Sequence, residues 1–166
     1  MKIFLTGLSG SGKSTVLIKT IELLKEKNPK IGGITTPEIR KQGKRIGFSV
    51  KDVFTGKEGI LASVDQKIGP RVGKYRIDLK EFERIALPAL DFTLKNCVII
   101  CVDELGRMEF FSSKFKEKVL EILNSDKKVI ACLHRNFIDE FKKYGKLIEV
   151  TLENREKLPQ EIIKYF

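Results

Sequence analysis

Two glycines, a lysine and a serine stand at the fixed positions of G-x-x-x-x-G-K-[ST] in Gly7-Leu8-Ser9-Gly10-Ser11-Gly12-Lys13-Ser14. The flanking residues matter as much as the match. Lys2-Ile3-Phe4-Leu5-Thr6 reads as a short buried strand. From Lys13 to about Glu26 the apolar residues Leu17, Ile21 and Leu24 recur at helical spacing, and Asn28-Pro29 should stop the run. A glycine turn between a strand and a helix gathers several backbone N–H groups toward one point, and the helix adds the positive end of its dipole. Such a nest binds a polyanion, and this pattern is the one that cradles the phosphates of a nucleotide. The candidate ligands are Gly7, Leu8, Ser9, Gly10, Ser11, Gly12, Lys13, Ser14 and the adjoining Thr15. Lys13 is expected to reach the β- and γ-phosphates and the Ser14 hydroxyl to ligate Mg²⁺.

A phosphate chain held with magnesium needs an acidic partner. The unbroken apolar run Cys97-Val98-Ile99-Ile100-Cys101-Val102 suggests a strand covered on both faces, as in a parallel sheet, and it ends in Asp103-Glu104. Ligands of open parallel sheets bind at the carboxyl ends of the strands. Asp103 is therefore expected beside the glycine loop as a second magnesium ligand, directly or through a water, in the manner of a Walker B site. Glu104, projecting to another side, is the candidate base for an attacking water. Arg107 follows closely and is a candidate to stabilise charge on the transferred phosphoryl group. His134 and Arg135 follow another apolar run ending at Leu133, so either is a further candidate for contact with nucleotide, as are Arg71 and Arg76 around Gly73. No Ser-His-Asp set, zinc spacing or G-x-G-x-x-G signature competes with this reading.

The rest of the pattern alternates strands and helices. Helices are expected over Leu79 to Leu94, with Pro88 kinking or dividing it, over Ser113 to Leu123, Phe137 to Lys143 and Leu158 to Tyr165. Strands are expected over Lys128 to Leu133 and Lys146 to Leu152. The stretch from Ile31 to Arg76 differs. Gly32–Thr36, Arg45–Val53 and Glu58–Ala62 read as strands, with turns at Gln42-Gly43 and Thr55-Gly56, which suggests an antiparallel excursion beside the main sheet. The expected fold class is α/β, a parallel sheet flanked by helices on both faces. With no repeats and no linker, its 166 residues are expected to form one domain, 1–166.

Composition narrows the setting. Hydrophobic residues at 42% and charged residues at 33% fit a folded chain rather than a disordered one. No run of about 18 apolar residues occurs, so no membrane partner is expected. The N-terminal residues run into the glycine loop without room for a signal peptide, and a cytoplasmic location is expected. Cys97, Cys101 and Cys132 all lie in apolar stretches. On one strand Cys97 and Cys101 would stand about 13 Å apart, too far for a disulfide, so buried thiols are expected. The net charge of +10 could attract nucleic acid, but the lysines are spread along the chain and form no stripe.

Four segments together resemble the thermostable nucleoside-triphosphatases, a family of small P-loop proteins that includes the cancer-related nucleoside-triphosphatase of animals. They are the glycine loop; Gly33-Ile34-Thr35-Thr36-Pro37-Glu38-Ile39-Arg40 with Arg45-Ile46-Gly47-Phe48; Gly69-Pro70-Arg71-Val72-Gly73-Lys74-Tyr75; and Asp103-Glu104-Leu105-Gly106-Arg107-Met108-Glu109. The resemblance implies a P-loop NTPase of RecA-like fold. It also implies Mg²⁺-dependent hydrolysis of nucleoside 5′-triphosphates (ATP, GTP and others) to diphosphate and phosphate, with broad base tolerance and slow turnover. The binding roles it implies fall on Gly7 to Ser14 and around Asp103 to Arg107, and a monomer is expected. Two other functions stay open on the residues alone. The loop also looks like that of adenylylsulfate kinases, with the Thr35–Arg76 excursion as a possible second-substrate pocket. A nucleic-acid-binding switch driven by nucleotide would use the positive charge.

Overall fold

The computed structural model describes residues 1–27 and 30–166. Strand β1 (Lys2–Thr6) leads through the glycine loop into helix α1 (Lys13–Glu26), as the flanking patterns require. The expected stop at Asn28-Pro29 lies outside the described residues. Strand β2 (Ile31–Thr35) is followed by five antiparallel strands, β3 (Glu38–Lys41), β4 (Lys44–Asp52), β5 (Glu58–Ser63), β6 (Arg71–Val72) and β7 (Tyr75–Ile77). Helix α2 (Leu79–Asn96) leads to β8 (Ile99–Leu105), and α3 (Ser113–Asn124) leads to β9 (Lys128–Leu133). A short helix α4 (Ile138–Phe141) between 3-10 turns precedes β10 (Lys146–Glu149), and α5 (Leu158–Ile162) follows.

The strands form one sheet in the order β10-β1-β9-β8-β2-β4-β5-β7-β6, with β3 paired to β4. From β10 to β2 every neighbour is parallel. At β2 the sense changes, because β4 pairs antiparallel to it. The excursion expected beside the main sheet is thus a continuation of the same sheet past its β2 edge. Its short members β3, β6 and β7 escape the sequence pattern because two to four residues are too few to show a period, although Tyr75 and Ile77 of β7 are buried in the core.

Alternation along the strands builds two cores. Ile3, Leu5, Ile99, Cys101, Ile130 and Cys132 pack with α1 and α5 residues such as Val16, Leu17 and Ile162. Phe4, Ile100, Val102 and Ala131 point to the other face, against Phe82, Leu90 and Phe115 of α2 and α3. Phe82 and Phe115 meet edge to face with ring centroids 5.1 Å apart. Each fully buried ring or branched side chain contributes roughly 1.5–3 kcal/mol relative to exposure. The sheet is therefore covered on both faces, and its carboxyl ends remain as the open rim.

Two expectations need correction. Helix α2 continues as one element through Pro88, which does not divide it. The proline is exposed, so the Arg84 carbonyl it leaves unbonded lies on the solvent side, while Ile85, Ala86, Ala89 and Leu90 stay buried around it and hold the helix together. Strand β8 is displaced along the chain. Cys97 caps the end of α2, and the strand runs from Ile99 through the acidic pair to Leu105. All three cysteines are free and buried, as expected. Burial pushes the Cys101 thiol up to about 12, and its Sγ donates to Gly32 O at 3.1 Å. Among the described residues no helix is long and apolar enough to cross a membrane.

Candidate active site

Sheet order decides which residues can meet. β1 lies between β10 and β9, and β8 lies beyond β9, so the carboxyl ends of all five parallel strands share one rim. That rim carries Gly7 after β1, Thr36 after β2, the acidic pair in β8, His134 after β9 and Val150 after β10.

The glycine loop adopts the conformation its residues allow. Gly7, Gly10 and Gly12 take positive φ values of 142°, 78° and 102°, which side chains other than glycine rarely tolerate. Lys13 Nζ donates to the loop carbonyls of Leu8 at 3.1 Å and Gly7 at 3.3 Å, so the ammonium ties the loop to the start of α1. Ser14 and Thr15 are exposed on the first turn of α1. The Ser11 hydroxyl is buried without a hydrogen-bond partner.

On β8 the pairing slips where the acidic residues stand. Val102 pairs with Ala131, but the next pair is Leu105 with Leu133, so Asp103 and Glu104 together oppose Cys132 alone. A bulge of this kind re-aims side chains at a strand end. Asp103 is 3% exposed and accepts a hydrogen bond from Ser14 Oγ at 3.0 Å, which joins β8 to the glycine loop. Burial pushes its carboxyl up to about 6, helped by the charge of Glu104. The Cys132 thiol, the Ser14 hydroxyl and the Lys13 ammonium oppose this. Glu104 is half-buried and faces the cleft.

The cleft is lined by Ser9, Gly10, Lys13 and Ser14 from the loop and by Asp103, Glu104 and Arg107 from the acidic segment, with His134 beside them. His134 Nδ1 accepts from Asn136 N–H at 3.3 Å, which puts the proton of the neutral ring on Nε2. Arg135 is exposed and is not among the cleft residues. Arg71 and Arg76 are not there either. They donate to Gly73 O and Gly69 O, each at 3.0 Å, close to their own place in the chain.

The structure adds residues that sequence reasoning missed. Thr36, Glu38, Arg45 and Phe48 wall the cleft from the excursion. Arg45 donates to Glu38 at 2.7 Å and to the Tyr75 hydroxyl at 2.9 Å, and its guanidinium lies over the Phe48 ring at 5.1 Å. Glu38 is held below its usual range, chiefly by the hydrogen bond from Arg45. The same carboxyl-end rule that pointed to Asp103 would have pointed to Thr36 after β2. Glu109 is the other omission. It is 5% exposed, and a Cβ on Gly106 would stand 2.7 Å from Glu104 Oε1 and 2.8 Å from Glu109 Oε2. A side chain at 106 would displace both carboxylates. Burial, then the charges of Glu104 and Asp103, push the Glu109 carboxyl well above its usual range.

This donor set suits a hard cation that keeps most of its ligands elsewhere. Among the described residues no three His, Cys, Asp or Glu side chains form a metal cage. One hydroxyl and one carboxylate beside a phosphate-binding loop could hold Mg²⁺, which takes one or two protein oxygens and completes its shell with waters and substrate phosphates. The arrangement can bind a polyphosphate, neutralise it and set a carboxylate near its end.

Comparison with known proteins gives the family and the fold. The family model described as NTPase matches residues 2–163. The chain belongs to the NTPase family. Within it, the chain is similar to nucleoside-triphosphatase THEP1 of Methanocaldococcus jannaschii, 48% identical over 164 residues that cover 98% of this chain and 95% of that one. It is 45% identical to nucleoside-triphosphatase THEP1 of Methanosarcina acetivorans over 171 residues, covering 100% of this chain and 97% of the relative. The crystal structure of THEP1 from the hyperthermophile Aquifex aeolicus superposes with a TM-score of 0.87 at 28% identity, over 99% of this chain and 98% of that one. The solution structure of a human cancer-related nucleoside triphosphatase gives 0.82 at 32% identity, over 99% and 96%. Both the family resemblance and the P-loop α/β fold read from this NTPase-family sequence are borne out.

Proposed function

We propose that this NTPase-family protein hydrolyses nucleoside 5′-triphosphates to the diphosphate and inorganic phosphate in the presence of Mg²⁺, slowly and with little regard to the base. The observation that carries the reading is the hydrogen bond from Ser14 Oγ to buried Asp103 at 3.0 Å, with Glu104 next in the chain and facing the same cleft. The names of the relatives support it.

The backbone amides from Gly7 to Thr15 hold the phosphates, and Lys13 turns from its loop carbonyls toward the β- and γ-phosphates. Ser14 and Asp103 hold the cation. Bound Mg²⁺ offsets negative charge on the β- and γ-phosphates and makes the diphosphate a better leaving group. Glu104 orients a water and takes its proton as the oxygen attacks the γ-phosphorus. The bond from that phosphorus to the β,γ-bridging oxygen breaks, and its electron pair leaves with the diphosphate. Arg107 steadies the transferred group. Slow turnover fits the two arginines of the cleft, since Arg45 is occupied by Glu38 and Arg107 is exposed. Every residue given a role lies in one chain, so a monomer suffices.

Phosphate release from ATP, GTP, CTP and UTP, with and without Mg²⁺ and with no added acceptor, tests the proposal. Release from all four that stops when the metal is chelated is the expected result. Negligible release that appears only when a nucleoside or adenylylsulfate is supplied would overturn it in favour of a kinase.

A further inference from the structure

The acidic groups that face the terminal phosphate all come from one side of the glycine loop. Asp103 and Glu104 stand on β8, separated from β1 by β9, whereas β10 flanks β1 on the opposite side. If the γ-phosphate lies toward β8, the nucleoside must leave the loop on the β10 side. There the segment after β10 closes a second cleft with Gly12, Thr15, Val16 and Lys19 of the loop and α1, and its contribution is Arg155 and Glu156. Arg155 crosses the start of α1 so closely that a Cβ on Gly12 would stand 3.3 Å from its Cδ. Gly12 thus permits both the turn of the loop and the approach of this arginine.

The chemistry of that cleft is selective in what it leaves free. Lys19 Nζ donates to Glu156 Oε2 at 2.8 Å, so these two charged groups are partners of each other in the nucleotide-free cleft. The Arg155 side chain is 41% exposed, and its only ionic neighbour among the described residues is Glu156 Oε1, 3.7 Å from Nε. An exposed contact of that length restrains the guanidinium little. A planar cation that is 41% exposed and weakly held, beside the glycine loop, can serve as a platform for an aromatic ring.

We propose that the cleft between α1 and the segment after β10 receives the nucleoside, and that the Arg155 guanidinium stacks flat on the base. Stacking engages the face that every base has and ignores the edge that distinguishes them. Arg155 is therefore the residue through which the site gains affinity without base preference. The inference rests on the phosphate-loop reading of the proposed function, but it concerns binding and does not need hydrolysis.

Calorimetric titration of the full chain with ATP, GTP, CTP, UTP and inorganic tripolyphosphate, all with Mg²⁺, tests it. Arg155→Ala should weaken all four nucleotides about tenfold, the lower part of what one base stack contributes, and leave tripolyphosphate unchanged. Arg155→Tyr, which keeps the plane and drops the charge, should recover most of the affinity, and Arg155→Lys should not. Equal weakening of tripolyphosphate would make Arg155 a phosphate ligand and overturn the proposal. So would unchanged nucleotide affinity in Arg155→Ala, or full affinity in Arg155→Lys. Equal melting temperatures for the variants exclude a folding defect as the cause. Should the parent chain bind nucleotide but release no phosphate, the hydrolytic reading fails while this binding test still reads out.

Discussion

Ser14 Oγ donates a hydrogen bond of 3.0 Å to Asp103 Oδ1 across 89 positions of sequence, and this contact ties the phosphate loop to the acidic strand. It also stores a conflict. Asp103 is buried and its carboxyl is pushed up to about 6, so the ionised form that a cation needs is the form the apo protein disfavours. The unfolded chain loses that proton near the usual aspartate value. The penalty is therefore absent at low pH, grows as the pH rises past that value and is fully present above about 6. Asp103→Asn should raise the apo melting temperature at neutral pH, by up to about 3 kcal/mol in stability, and should gain nothing at pH 4. The same variant should lose at least tenfold in Mg²⁺-dependent turnover. A variant both less stable and fully active would contradict the assignment.

Glu104 makes the opposite kind of prediction. It shares the bulge with Asp103 yet faces the cleft half-exposed, so its replacement should spare the fold. Glu104→Gln keeps the size and loses the basic oxygen. Turnover is expected to fall by roughly 10²–10⁴-fold with nucleotide affinity within about threefold of the parent. Single-turnover phosphate release and a parallel binding titration separate the two quantities. Hydrolysis at the parent rate would remove Glu104 as the base.

Glu109 is buried against Gly106 with its carboxyl well above the usual range, because burial and the Glu104 and Asp103 charges all disfavour ionisation. The native state keeps a proton that the unfolded chain has already released. Stability must then fall as the pH rises from the ordinary glutamate value toward the native one. Glu109→Gln removes this term and should flatten the profile. Melting curves of nucleotide-free protein should show the variant gaining more over the parent at pH 8 than at pH 5. Parallel profiles would mean that Glu109 is not protonated in the fold.

What the sequence made legible follows from how local each signal is. The boundaries of β1, α1 and β9 could be read because glycine punctuation and apolar periodicity act over neighbouring residues. The segment Glu38-Ile39-Arg40-Lys41 gave no strand signal, since a mostly charged edge is held by pairing with β4 rather than by an apolar face. Likewise Gly7 to Ser14 and Asp103-Glu104 are contiguous and declare their chemistry, whereas Arg45 is set in the cleft wall by the β3–β4 hairpin, a bond to Glu38 and a bond to the Tyr75 hydroxyl 30 positions away. Glu109 looked like any charge preceding a helix, and nothing in its neighbours revealed that it is buried.

Lys13 is the residue whose resting contacts say most about binding. Its ammonium donates to the carbonyls of Gly7 and Leu8, so in the free protein it braces the loop it will later help to fill. A triphosphate offers it γ-oxygens that a diphosphate lacks, and charge-assisted bonds contribute about 1.5–3 kcal/mol. Lys13→Ala is therefore expected to weaken triphosphate binding by roughly 10–100-fold and diphosphate binding by clearly less. Because the alanine also releases the two carbonyls, the free loop should become more accessible to proteolysis between Gly7 and Lys13. Lys13→Arg tests geometry apart from charge, since a guanidinium fork does not replace a compact ammonium seated on two carbonyls. It should restore little of the triphosphate preference. If Lys13→Ala weakened both nucleotides equally, the lysine would be bracing the loop without reaching the terminal phosphate.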